Sequence, residues 1–202
     1  MKYSLLLLVP LVAAQAHAQI GDYDYGFTSL TTWAVSVPLG DTKRFVGSPS
    51  WTGITWAMQW NREKTATGFE FGLHDFYDQS TGTTTFGAGA ATGSQFRDLL
   101  VTTAMATARW YPFGSGRGPS LGIGGGGMYA QQSYQLGIQS QLIRSGFQFA
   151  IAPEAAMAVP IFHDISAVLT ARYLAPTSSN AYLGGGYRRF RFLTFSAGFA
   201  ER

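Results

Sequence analysis

Two runs of alternating apolar residues meet across a short turn in the segment 145–173. In each run the residues of one parity are mostly large and apolar, while those of the other parity are small or polar. A period of two over about ten residues is typical of a β-strand, and the turn at 160–164 predicts a hairpin. The small and polar parity carries Glu154 and Arg172, which a symmetric hairpin places nearly opposite each other. A soluble sheet buries its apolar face, whereas a membrane barrel turns that face outward and holds its ions inside.

The alternation recurs along the chain and predicts six further strands, at 28–37, 51–61, 65–75, 99–111, 119–131 and 189–199. Short turns at 62–64, 113–118 and 160–164 alternate with longer segments, which we expect to be irregular loops, at 41–50, 76–98, 132–144 and 175–188. This alternation predicts an all-β fold, an eight-stranded antiparallel up-and-down transmembrane β-barrel with short periplasmic turns and long outer loops.

One residue does not fit this pattern. Pro153 lies in the middle of the sixth predicted strand, where it has no N–H to donate to the ladder. A closed barrel has no edge strand on which such a residue is tolerated. We therefore expect a β-bulge at Pro153.

The N-terminal segment has the three parts of an export signal. Lys2 supplies the positive charge, 4–14 is apolar, and Ala16, His17 and Ala18 form a small-x-small cleavage site. We expect a signal peptide at 1–18 and one outer-membrane β-barrel domain at 19–202. An uncleaved anchor helix is the alternative, but the apolar stretch is short for a membrane span.

Composition excludes several function classes. The chain has no cysteine, which rules out disulfides, thiol catalysis and cysteine-bound zinc. Basic side chains number 14 against 11 acidic ones, with no long basic run, so we expect no nucleic acid partner. The glycine-rich run 122–127 has the spacing of a dinucleotide loop but no following helix, and His163 has no carboxylate at metal-ligand spacing. We expect no cofactor and no metal.

The inward parities of the predicted barrel collect charged side chains. We expect Glu70, Arg109, Glu154 and Arg172 to form an ion network in the lumen, because buried charges must be paired. Eight strands leave an interior that side chains fill, so the network predicts a plugged lumen. A gated or very small pore is the alternative.

Two further groups of residues lie at the outer end of the predicted barrel. His74 and Asp75, with Tyr77 and Ser80, contain residue types of a hydrolase, but strand parity sends His74 inward and Asp75 outward, which argues against an enzyme. The second group is basic and consists of Lys43, Arg44, Arg188, Arg189 and Arg191. These side chains are predicted to extend from the rim toward water, and they are also predicted to pair with phosphates of the outer-leaflet glycolipid.

Three stretches of the chain resemble a known family. They are the run from Arg109 to Phe113 with the glycines 122, 124 and 126; the segments 152–154 and 171–173; and the closing alternation of Leu193, Phe195 and Phe199. In these stretches the chain resembles the small outer-membrane barrels of Gram-negative bacteria, which include opacity-type surface proteins and the barrel domain of outer-membrane protein A. The resemblance implies a porin-family barrel fold over essentially all of the mature chain.

Together these features predict a small outer-membrane barrel with a structural or surface-interaction role in the Gram-negative cell envelope. Its expected partners are outer-membrane lipid and lipopolysaccharide, the outer-membrane assembly machinery and surface ligands of the host or the envelope. A narrow channel for small solutes is the first alternative and an outer-leaflet hydrolase the second. A soluble ligand-binding barrel is the alternative outside the membrane, and it would turn the faces of Phe69 and Phe147 inward.

Overall fold

The computed structural model describes residues 26–86, 89–113, 118–136, 139–162, 164–179 and 187–201. The predicted signal peptide lies outside these residues. The described chain forms eight strands and one short helix: β1 (Phe27–Gly40), α1 (Asp41–Phe45), β2 (Ser50–Arg62), β3 (Thr65–Phe86), β4 (Gly89–Trp110), β5 (Gly118–Leu136), β6 (Gln139–Pro160), β7 (Ile165–Pro176) and β8 (Phe190–Glu201). No helix in the described part of the chain is long and apolar enough to cross a bilayer.

The eight strands close into a barrel. Each strand pairs antiparallel with the next one, and β1 pairs with β8. The predicted fold class is therefore confirmed, including the Ala-rich segment of β4, which is a strand. The start of β1 and the end of β8 lie at the end of the barrel that carries the short connections, which we call the turn end. The opposite end, which carries the long hairpins and α1, is the loop end.

Large apolar side chains cover the outside of the barrel. Phe69, Phe71, Phe147 and Phe149 are each about half exposed or more, at 51%, 50%, 56% and 63%. Between them on the same strands, Glu70 and Gln148 face inward and are buried. This is the reverse of a soluble barrel, so the soluble alternative is wrong in its placement of these faces.

Two segments that we predicted to be irregular are strands. Most of 76–98 belongs to β3 and β4, which pair without interruption from Thr65 with Trp110 to Phe86 with Gly89. Most of 132–144 likewise belongs to the β5–β6 hairpin. The sequence signal is weak because Ser, Thr, Gly and Gln occur on both faces of these extensions. Without one apolar face, a strand leaves no period of two in its sequence.

The predicted bulge at Pro153 is also wrong. Pro153 pairs with Ile123 of β5, and the register between β6 and β7 is the same on both sides of it. The β6–β7 pairing is interrupted at Ala152 and Pro153. Because Pro153 has no partner on β7, its missing N–H does not disturb the register. A register shift occurs instead between β1 and β2, where Trp51 and Thr52 lie opposite Val35.

Candidate functional site

Four charged side chains meet inside the barrel in a cluster that we call the ion cluster: Glu70 of β3, Arg109 of β4, Glu154 of β6 and Arg172 of β7. Glu154 lies in the middle. Its Oε1 accepts a hydrogen bond from Nε of Arg109, and its Oε2 accepts one from Nε of Arg172 at 2.9 Å. Arg172 also forms a salt bridge with Glu70. The structure thus brings all four predicted residues together, as two carboxylates with two guanidinium groups.

Strand register explains how these residues meet. Glu154 pairs directly with Arg172 across the β6–β7 hairpin. Arg109 lies two strands away from Glu154 but at the same level of the barrel wall. It pairs with Gly122 of β5, and Gly122 in turn pairs with Glu154. A Cβ at Gly122 would lie 2.7 Å from Oε1 of Glu154 and 2.9 Å from Cγ of Arg109. The glycine therefore leaves the space through which the two side chains meet.

Gln59 is a further member of the ion cluster that the sequence analysis did not identify. It is buried on the inward face of β2. With its amide oxygen turned toward Arg109, it accepts hydrogen bonds from Nε at 3.2 Å and Nη1 at 2.8 Å. Strand parity predicts that the side chain of Gln59 faces inward. It does not predict a contact with Arg109, because a neutral amide does not require a charged partner.

The ion cluster links β2, β3, β4, β6 and β7 across the lumen. Its charges are equal and opposite, and the side chains of Arg109, Glu154 and Glu70 are at most 4% exposed. In surroundings with so little water, each charge is held by its partners, and removing one partner leaves another uncompensated. The arrangement suits a rigid cross-brace.

An apolar layer fills the lumen between the ion cluster and the loop end. Phe76, Phe192, Leu99, Val101 and Met128 are all 0% exposed, and Phe45 of α1 belongs to the same cluster. This layer was not predicted from the sequence. Apolar residues such as Leu100, Tyr129 and Leu193 occupy the neighbouring outward positions, so a period of two does not single out Leu99, Met128 and Phe192 as an inward layer.

His74 lies inside the barrel beside this apolar layer. Its Nδ1 is 2.9 Å from Oγ of Ser36, and its ring centroid is 4.9 Å from that of Phe192. Asp75, the next residue, faces outward and is exposed. The two side chains therefore do not form the pair that a hydrolase needs. In the described residues no group of three His, Asp or Glu side chains could hold a metal ion.

A small cavity of about 20 Å³ lies at the turn end, below the ion cluster. Arg109 and Gln59 line its inner end, and Asn61, Ser120 and Ser166 contribute polar walls. Such a volume holds about one water molecule.

The five predicted basic residues of the loop end also come together. Lys43 and Arg44 are on α1, and Arg188, Arg189 and Arg191 are on the segment that leads into β8; all five are exposed. Asp41 joins the two segments, because its Oδ2 accepts hydrogen bonds from the backbone N–H of Arg188 at 2.9 Å and of Arg189 at 3.1 Å. We call these five residues and Asp41 the basic rim.

The environment of Asp41 favours its ionised form. Partial burial by itself raises the pKa of Asp41, but the two backbone hydrogen bonds from Arg188 and Arg189 lower it. The positive charges of Arg44 and Arg191 lower it further. The net result is a pKa of Asp41 below its usual value of 3.8.

Two carboxylates lie close together on the outside of β3 and β4: Asp75 pairs with Leu100, and Asp98 lies two residues nearer the loop end. Asp75 and Asp98 interact by a side-chain hydrogen bond. Burial, followed by the charge of Asp75 and this hydrogen bond, raises the pKa of Asp98 to about 6.

No family model and no curated protein sequence matches this chain. Among solved structures, the chain is similar to Neisserial surface protein A, with a TM-score of 0.52 and 11% identity over 90% of this chain and 99% of that one. A second similar structure is Ail, the attachment invasion locus protein of Yersinia pestis, with a TM-score of 0.43 and 9% identity over 87% of this chain and 97% of that one. The first likeness shows a shared fold, that of the small eight-stranded outer-membrane barrels.

Proposed function

We propose that the mature chain, residues 19–202, spans the outer membrane of a Gram-negative bacterium with its turn end in the periplasm and its loop end outside. In this proposal the lumen is plugged and the protein acts through its outer surface, in a structural or surface-interaction role. Its partners are outer-membrane lipid and lipopolysaccharide, and surface ligands of the envelope or a host. The assembly machinery of the outer membrane inserts it.

The outward apolar band supports the membrane location. On β4 the outward positions run from Trp110 to Leu100, and on β3 the outward Phe69 and Phe71 lie at the same height. About ten residues of a tilted strand cover about 25 Å, which is the height of the apolar band in outer-membrane barrels.

Aromatic side chains occur at both ends of the band: Phe27 packs against Trp60 at the turn end, and Trp33 packs against Trp51 toward the loop end. The indole N–H of Trp33 also donates to the carbonyl of Trp51.

Two successive layers support a plugged lumen. The ion cluster crosses the barrel near its middle, and the apolar layer with Phe45 fills the outer half. A solute would have to separate buried ion pairs and then displace packed aromatic side chains. Burial of Glu154 between two arginines is the observation that carries this proposal, because a water-filled pore would leave these charges exposed.

Single-channel conductance of the refolded mature chain in a planar bilayer tests the plug. We expect no steady openings from the wild type, and we expect Glu154→Ala to give openings or a less stable barrel. Steady openings of the wild type would contradict the plugged lumen and favour the alternative of a narrow channel. Insertion must be shown in the same samples, by the different migration of folded and unfolded barrels on gels.

We also infer that the protein is not a hydrolase of the outer leaflet. The contacts of His74 with Ser36 and Phe192 and the outward direction of Asp75 support this inference. Incubation of the inserted barrel with radiolabelled outer-leaflet glycolipid should release no product. Release that is lost in His74→Ala would contradict it.

A further inference from the structure

The basic rim is built from two segments that are far apart in sequence. Asp41 accepts the backbone N–H groups of Arg188 and Arg189, and the hydroxyl of Thr42 donates to the carbonyl of Arg191 at 2.8 Å. These three hydrogen bonds fix α1 against the start of β8. The two segments that carry the exposed basic side chains are thereby held together.

Aromatic packing on the side that faces the lumen also holds these two segments together. The ring of Phe45 contacts Tyr187 edge-on with centroids 5.3 Å apart, and it also packs against Phe190. The Tyr187 hydroxyl donates to the carbonyl of Arg44 at 3.4 Å, and the guanidinium of Arg44 lies over the Tyr187 ring at 5.8 Å. Because Phe45 is 5% exposed, α1 is anchored in the apolar layer and its basic side chains remain on the surface.

Arg191 sets the height of this surface relative to the membrane. It faces outward on β8, two positions beyond Leu193 and four beyond Phe195, which is 49% exposed in the apolar band. Two strand residues span about 6–7 Å. The guanidinium therefore lies just beyond the apolar band, at the level where headgroup phosphates of the outer leaflet are found.

We infer that the basic rim is a binding site for the phosphate groups of an outer-leaflet glycolipid, and that Asp41 is the positioning residue that assembles it. The inference rests on the proposed outer-membrane location and names a partner for the outer surface. Guanidinium groups bind phosphate through two parallel hydrogen bonds, and Lys43 adds a point charge. Asp41 contributes by its two backbone hydrogen bonds, although its own charge opposes an anion.

Asp41 holds the rim together by its hydrogen bonds, but its negative charge repels anions. Replacing it therefore distinguishes a structured binding site from general electrostatic attraction. If the rim attracted anions by its net charge alone, Asp41→Ala would bind them more tightly, because it removes a negative charge. If Asp41 assembles the site, Asp41→Ala binds them more weakly. Asp41→Asn keeps a side-chain oxygen acceptor without the charge, so we expect it to bind as tightly as the wild type or more tightly.

The chain has no cysteine, so a single fluorescent label can be attached beside α1, at Ser48→Cys, to report binding. The labelled mature chain is inserted into phosphatidylcholine vesicles containing either a diphosphorylated diglucosamine glycolipid or the same glycolipid without phosphates. We expect saturable binding of the phosphorylated form. Replacing Arg188 and Arg189 by Ala should weaken it by about tenfold or more, because it removes two guanidinium groups that form charge-assisted hydrogen bonds with phosphate.

Asp98→Asn is the matched control, because it removes the same charge on the β3–β4 side of the loop end. We expect it to leave binding unchanged. Tighter binding by Asp41→Ala and Asp98→Asn alike would overturn the inference, as would equal binding of both glycolipids or full competition by millimolar inorganic phosphate. In each of these cases the inserted barrel and the proposed function would stand. A mature chain that stays soluble without detergent and does not insert would instead overturn the proposed function.

Discussion

Arg109 on β4 reaches Glu154 on β6 across the strand that separates them. The contact is possible because β5 presents Gly122, which has no side chain, at the point where the guanidinium crosses it. Two strands that are not neighbours can thus form a buried ion pair because the strand between them has a glycine at that position.

Gly122→Ala should destabilise the barrel by about 1–3 kcal/mol, because the added methyl group would lie within 3.0 Å of Glu154, Arg109 and the carbonyl of Ala108. Unfolding by urea in detergent micelles measures the change. Gly125→Ala is the matched control on the same strand, since a Cβ there meets nothing within 4 Å. Equal stability of the two variants would show that Arg109 and Glu154 do not need the open position.

Glu154→Gln should cost more stability than Glu70→Gln, because Glu154 contacts both arginines whereas Glu70 contacts Arg172. Breaking a buried ion pair by removing one partner costs about 3–5 kcal/mol. The free energies of unfolding of the two single variants and of the double variant measure this. A loss for Glu70→Gln as large as that for Glu154→Gln would remove Glu154 from the centre of the cluster.

Asp98→Asn should stabilise the β3–β4 hairpin at pH 8 but not at pH 4. The pKa of Asp98 is about 6 in the folded protein against a usual value of 3.8. The folded state therefore keeps a proton that the unfolded state releases as the pH rises through this range, and wild-type stability falls. Solvent reduces the effect to the order of 1 kcal/mol, because Asp98 is partly exposed. Hydrogen exchange of the hairpin amides at both pH values measures it, and a gain at pH 4 would contradict the assignment.

The docking of α1 should resist acid down to about pH 3.8. Since the pKa of Asp41 is below 3.8 in the docked state, its contribution is present above that pH and is lost as the pH falls through the lower, folded value. A fluorophore at Ser48→Cys follows the docking between pH 8 and pH 3. In Asp41→Asn the acid transition should disappear, and a transition near pH 6 in the wild type would point to another group.

The alternation of apolar residues predicted the barrel because lipid-facing strands carry a strict period of two. Symmetry about the turn at 160–164 also placed Glu154 opposite Arg172, and the register of β6 and β7 pairs them directly. Local sequence could not pair Arg109 with Glu154 or Arg172 with Glu70, because those contacts depend on barrel closure and strand tilt. It also could not reveal α1, since five residues are too few to show a helical period.

The position of α1 joins the two ends of the sheet. The helix follows β1 directly, and its hydrogen bonds go to the residues that lead into β8, which is the strand that β1 must meet to close the barrel. An open sheet has β1 and β8 at opposite edges, so α1 has nothing to dock against until those edges meet. Docking of α1 therefore marks the completion of the ring, and it reinforces at the loop end the seam that forms when the first and last strands come together.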